Sequence, residues 1–213
     1  VRYFNKKFIF TALGLVLFTQ VKLFAEITGS PHDFSGVSFV HGGGEICKIC
    51  HTPHSGRSSE APLWRGRLGS YGTYTLYSSD TLDASVNQPL VPSKACLTCH
   101  DGSIAIGPLT GCVDCHKNSG HTPGNTVLNN DHPISFTYDA ALAQTDGALL
   151  DPGGSAVATL GGKTIQTGML YQNRMECPSC HDVHAKKGDS ATAPDLLLIN
   201  NDQDKLCLTC HVK

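Results

Sequence analysis

Apolar and polar positions alternate only in short stretches along this chain. The longest apolar run is Phe8–Phe18, 11 residues, which is too short to span a bilayer. It follows Arg2, Lys6 and Lys7 and precedes Leu23-Phe24-Ala25. A basic start, a short apolar core and a small final residue read as an export signal over residues 1–25. An uncleaved anchor is the competing reading. Residues 26–213 then form one domain with no membrane span. Within it, Asp139–Gln144 predicts one or two helical turns. Ser93 reads as an N-cap before Cys96–His100, and Asp202 as one before Cys207–His211. Leu160-Gly161-Gly162-Lys163 predicts a two-residue hairpin within 157–168. Residues 56–88 carry Tyr71, Tyr74 and Tyr77 among polar neighbours and predict a short strand or an extended wrap. Asp151–Ser155 reads as an ordinary turn. The expected fold class is mostly irregular coil with short α-helices and a small β-hairpin.

Composition explains why the pattern is so broken. Of 213 residues, 22 are Gly and 11 are Pro, and aromatics are 7%. Such a chain is poor in material for a core of its own. Its formal charge is −2, and losing Arg2, Lys6, Lys7 and Lys22 with the signal leaves 12 basic against 18 acidic residues. No basic face for nucleic acid is expected. No nucleotide loop or Ser-His-Asp order is visible either.

The cysteines supply the missing organisation. All ten fall in one repeated pattern, Cys-x-x-Cys-His: Cys47/Cys50/His51, Cys96/Cys99/His100, Cys112/Cys115/His116, Cys177/Cys180/His181 and Cys207/Cys210/His211. Random placement would produce about 0.02 copies. Two thiols at this spacing add across the two vinyl groups of one haem, and the next residue projects an imidazole onto the iron. Zinc sites, disulfides and thioredoxin-type pairs do not explain a His after every pair. The pattern therefore implies five covalently attached haem c groups. About 188 residues remain after the signal, roughly 38 per haem, so the porphyrins must supply much of the core.

The other six histidines bear on carrier against enzyme. They are His32, His41, His54, His121, His132 and His184. An electron carrier fills both axial positions of each iron, whereas a catalytic haem keeps one open. Five irons need five distal ligands, and six candidates exist, with Met169 or Met175 as minor competitors. The arithmetic favours electron transfer over substrate chemistry at iron. His54 lies three residues after His51, and three extended residues reach about 10–11 Å. That cannot comfortably carry the chain around a porphyrin to its opposite face. His54 is therefore expected on a different haem, and His184, three after His181, likewise. His132 precedes Pro133 and suits presentation from an extended loop. His32 lies near the mature N-terminus. His121 is the better candidate near the Cys112/Cys115 haem, and His41, before three glycines, is the weaker distal candidate.

An ordered set of stretches resembles a known family. It comprises His32-Asp33-Phe34-Ser35, Cys47 to His54, Ala61-Pro62-Leu63-Trp64, Tyr74 to Ser79, Cys96 to Gly102, Asn130 to Phe136, Cys177 to His184 and Cys207 to His211. Together these resemble the filament-forming tetrahaem cytochromes called extracellular cytochrome nanowires. The resemblance implies a loop-built fold around a continuous haem stack. It implies subunits that polymerise, with His32 donated to a neighbouring subunit and His54, His132 and His184 as distal ligands. Cys112–His116 departs from the four-motif pattern. Only 11 residues separate it from His100, so its haem is expected near the second, extending or branching the row. Three functions compete: a filament subunit carrying electrons out of the cell, a monomeric periplasmic or secreted shuttle, and a reductase with one open iron. Expected partners are copies of the same chain and redox donors and acceptors. Propionates on five haems would take the mature chain towards about −16, so salt is expected to favour assembly by screening.

Overall fold

The computed structural model describes residues 27–30, 32–35, 46–52, 54, 63–65, 73–101, 127–184 and 196–212. The proposed signal lies outside the described residues, as do the third attachment segment (Cys112, Cys115 and His116), His41, His121 and Tyr71.

Among the described residues coil dominates, with a few short helices and two two-stranded sheets. The strands are β1 (Thr75–Leu76), β2 (Val127–Leu128), β3 (Phe136–Thr137) and β4 (Arg174–Met175). The helices are α1 (Ser93–His100), α2 (Ala140–Asp146), α3 (Ile165–Gly168) and α4 (Lys205–Leu208). β1 pairs parallel with β2, Thr75 opposite Val127, and β3 pairs antiparallel with β4, Phe136 opposite Met175. Both sheets join segments far apart in sequence. Among the described residues, no helix is long and apolar enough to cross a membrane.

Local chemistry accounts for α2. The Asp139 side chain accepts from Leu142 N at 2.9 Å, and Gly147 ends the helix at φ 72°, a conformation glycine adopts without steric cost. Three expected features differ. Ser93 is not an N-cap: Pro92 takes that position, and Ser93 is the first helical residue, fully buried. Its hydroxyl is drawn to partners across the fold rather than to its own helix. Asp202 does not cap α4 either, because its carboxylate accepts from Asn200 Nδ2. Asn201 Oδ1 instead accepts from Leu206 N at 3.1 Å. The glycine pair does turn the chain at 157–168, but Ala158–Leu160 winds into a 3-10 turn first. Only Val157 and Lys163 bridge, so the two-residue hairpin does not form.

The core sits mainly in the C-terminal half. Phe136, Tyr138, Leu160, Ile165, Met169, Met175 and Ile199 form its centre, with Cys210 at its edge. Both methionines are packed there as core residues. A smaller cluster joins Tyr74, Leu97 of α1 and Leu128 of β2. Gln88 holds Tyr74 in place like a substitute strand: Tyr74 N donates to Gln88 Oε1 at 2.8 Å, and Gln88 Nε2 donates to Tyr74 O at 2.9 Å.

Candidate haem attachment sites

Four of the five attachment segments fall within the described residues; the third, with thiols Cys112 and Cys115 and imidazole His116, does not. Each described segment is a single tight turn. In three of them, His N bonds the carbonyl of the first Cys: His51 to Cys47 at 2.9 Å, His181 to Cys177 at 3.2 Å, and His211 to Cys207 at 2.9 Å. This helical turn brings both thiols and the imidazole to neighbouring positions. His100 closes α1, and Asp101 follows as its C-cap.

A second device recurs at the same three turns. Thr52 N donates to Leu63 O, and Arg65 N donates to Cys50 O. Asp182 N donates to Leu196 O, and Leu198 N to Cys180 O. Val212 N donates to Ala148 O, and Leu150 N to Cys210 O. Each time a remote strand-like residue lies antiparallel to the attachment His: Trp64 to His51, Leu197 to His181, Leu149 to His211. The clamp restricts the backbone on both sides of the His. Leu63 and Leu196, one residue before the bridge, both adopt left-handed φ, 52° and 54°. A non-glycine residue takes that conformation only where its surroundings enforce it. Sequence reasoning missed these clamps. Two of the three share an Ala-Pro beginning, at 61–64 and 193–197; the third, at 148–150, has no such signal.

The imidazoles meet in pairs. His51 and His184 have ring centroids 5.9 Å apart, His32 and His100 5.9 Å, and His132 and His211 6.4 Å. Every pair joins one attachment His to one of the other histidines. Two imidazoles bound to opposite sides of one metal ion would have centroids about 6.3 Å apart, from metal–nitrogen bonds of about 2.0 Å and the ring's own dimensions. The interplanar angles of 26°, 49° and 73° are compatible with this, because each ring can rotate about its metal–nitrogen axis. His54 is exposed and makes no ring contact with another described residue.

The donor chemistry fits a haem iron. The structure sets His132 Nδ1 at 2.8 Å from Pro133 O, which as a donor leaves Nε2 with its lone pair free. His32 has a buried Nδ1 with no hydrogen-bond partner. Burial, with the neighbouring His181 and His184, holds His32 below its ordinary pKa, which favours the neutral ring. Among the described residues no group of three or more His, Cys, Asp or Glu could hold an ion by itself. Two-imidazole sets suit a porphyrin, which supplies the other four nitrogens.

The described thiols are free. Burial pushes Cys50 and Cys180 up to about 11 and Cys210 up to about 12. Such thiols are neutral and poorly disposed to act as redox thiolates. They also form a row. Cys50 lies beside Cys99 and near Cys96, Cys96 lies near Cys177 with its thiol on Pro92 O, and Cys180 lies near Cys207 and Cys210. The closeness of Cys96 and Cys177 raises the first thiol and lowers the second. The first, second, fourth and fifth attachment segments thus follow one another in space.

Residues 171–213 match the family described as doubled CXXCH motif. The match supports a multihaem c-type cytochrome. Its cysteines indicate covalently bound haem c with iron, and such proteins generally serve electron transfer. A search of curated proteins found no match.

Proposed function

We propose that this protein is a pentahaem c-type cytochrome that conducts electrons through closely spaced haems, each iron held by two imidazoles. The pairing of three attachment histidines with three others carries the reading. On it, His51 and His184 would hold one iron, His100 and His32 a second, and His211 and His132 a third. His54, His121 and His41 remain for the irons of His181 and His116, the latter belonging to the haem on Cys112 and Cys115. The haem supplies the one-electron chemistry when bound. The chain's cysteines and histidines would hold it and exclude other ligands from its iron. Adjacent thiols in the row 47/50, 96/99, 177/180 and 207/210 support short edge-to-edge gaps between successive haems.

The resemblance to filament-forming cytochromes extends the proposal: the chain is an exported subunit of an extracellular filament. The described hydrogen bonds of residues 27–35 are all internal to that arm, such as Gly29 N to Asp33 Oδ2 at 2.7 Å. An arm docked through His32 can exchange between copies without disturbing its own turns. His32 beside His100 of its own chain favours a second reading, a monomeric shuttle. Electron microscopy of the secreted, haem-staining fraction distinguishes the two. Regular filaments with one subunit per repeat support the first, and dispersed particles with full haem content sink it. A low-spin spectrum from all haems supports two-imidazole ligation, and a high-spin haem favours the reductase.

A further inference from the structure

Two described acidic residues, Asp101 and Glu176, are buried outside the ligand pairs, and Glu176 is the one that ties attachment segments together. Glu176 precedes Cys177 and is 1% exposed. Its Oε2 accepts from Ser93 Oγ and from Ser135 Oγ at 2.8 Å, and its Oε1 accepts from Arg174 Nε at 2.9 Å. Both hydroxyls are already acceptors: Cys177 N donates to Ser93 Oγ at 2.9 Å, and Leu90 N to Ser135 Oγ at 2.9 Å. Their protons therefore point at Glu176, and the Arg174 guanidinium only donates. The ion pair with Arg174 and the two hydroxyl donors suit a carboxylate. Three segments converge on it: α1, which carries Cys96 and Cys99; the turn carrying Cys177 and Cys180; and the 132–137 segment, which presents His132.

Resting on the multihaem reading above, we infer that Glu176 is a positioning residue of the electron path. It holds the second and fourth attachment segments together, where Cys96 meets Cys177, and places a fixed negative charge beside the two haems attached there. A buried negative charge favours the oxidised iron and lowers its potential. The surrounding donors moderate that charge.

The test uses the full haem-loaded protein, Glu176→Gln and Ser135→Ala. Intact mass with peptide mapping first establishes haem at Cys96/Cys99 and Cys177/Cys180. If wild type lacks it there, the cytochrome reading itself fails. Spectroelectrochemical titration then reads the potentials. Glu176→Gln keeps the side-chain shape and removes the charge, and is expected to raise the potentials of two haems and leave the others in place. Ser135→Ala removes one donor and keeps the charge, and is expected to lower the same two. A merely structural role would move both variants the same way. The same direction for both, or titrations superimposable on wild type, overturns the inference. If Glu176→Gln does not accumulate, Ser135→Ala decides alone: a lowered pair supports the inference, and an unchanged or raised pair overturns it.

Discussion

Replacing Ser93 with Ala tests the polar junction between the attachment segments. Ser93 is fully buried, and its hydroxyl makes two bonds across more than 80 residues of sequence, to Glu176 Oε2 and from Cys177 N. The bond to the carboxylate is charge-assisted and contributes about 1.5–3 kcal/mol. The Cys177 N–H, stripped of its acceptor, costs about 1 kcal/mol more. Alanine returns about 0.5 kcal/mol through its better helix propensity. The expected net loss is about 2–4 kcal/mol. Had Ser93 been an exposed N-cap, the loss would be about 1 kcal/mol. The assay is guanidinium unfolding of the haem-loaded protein followed by far-UV circular dichroism, with Thr145→Ala as control. Thr145 is exposed and bonds only the Ala141 carbonyl of its own helix. Its loss should stay within about 0.5 kcal/mol. A Ser93→Ala loss of 1 kcal/mol or less, with an unchanged denaturant slope, would refute the reasoning.

Other expectations follow from the same contacts. Tyr138→Phe keeps the buried ring but removes the donor to Leu150 O, so unfolding should show a loss of about 1 kcal/mol; no change would deny that bond a stabilising role. His132→Ala should convert one haem to a high-spin form that binds carbon monoxide when reduced; a wholly low-spin spectrum would remove His132 as a ligand. The chain produced without haem attachment should give a coil-like circular dichroism spectrum, because the described core is small; a cooperative thermal transition would contradict this. If filaments form, raising ionic strength should lengthen them by screening like charge, and filaments longest at low salt would count against that electrostatic argument.

The irregular fold was legible because its cause is compositional: many Gly and Pro, few aromatics and no sustained period. The short helix near Asp139–Gln144 was legible because its contacts are local; Asp139 itself, expected within the helix, is instead the cap, accepting from Leu142 N three residues on. Ser93 was misread for the opposite reason. Its local context suits a cap, but its partners are Glu176 and Cys177. The hairpin at Gly161-Gly162 shrank to one bridge because Ala158–Leu160 closes its own 3-10 turn before a ladder can form.

The attachment chemistry is determined by sequence alone. Thiols two residues apart and an adjacent imidazole need only one turn of backbone to converge, and that turn is local. The imidazole that pairs with each attachment His is not local. His184 reaches His51, His32 reaches His100 and His132 reaches His211 across 68 to 133 residues, and no spacing rule selects those partners. The order of the thiols in space and the convergence on Glu176 are likewise decided only in the folded chain. They depend on which backbone segments clamp each attachment turn, and those clamps join residues far apart in sequence.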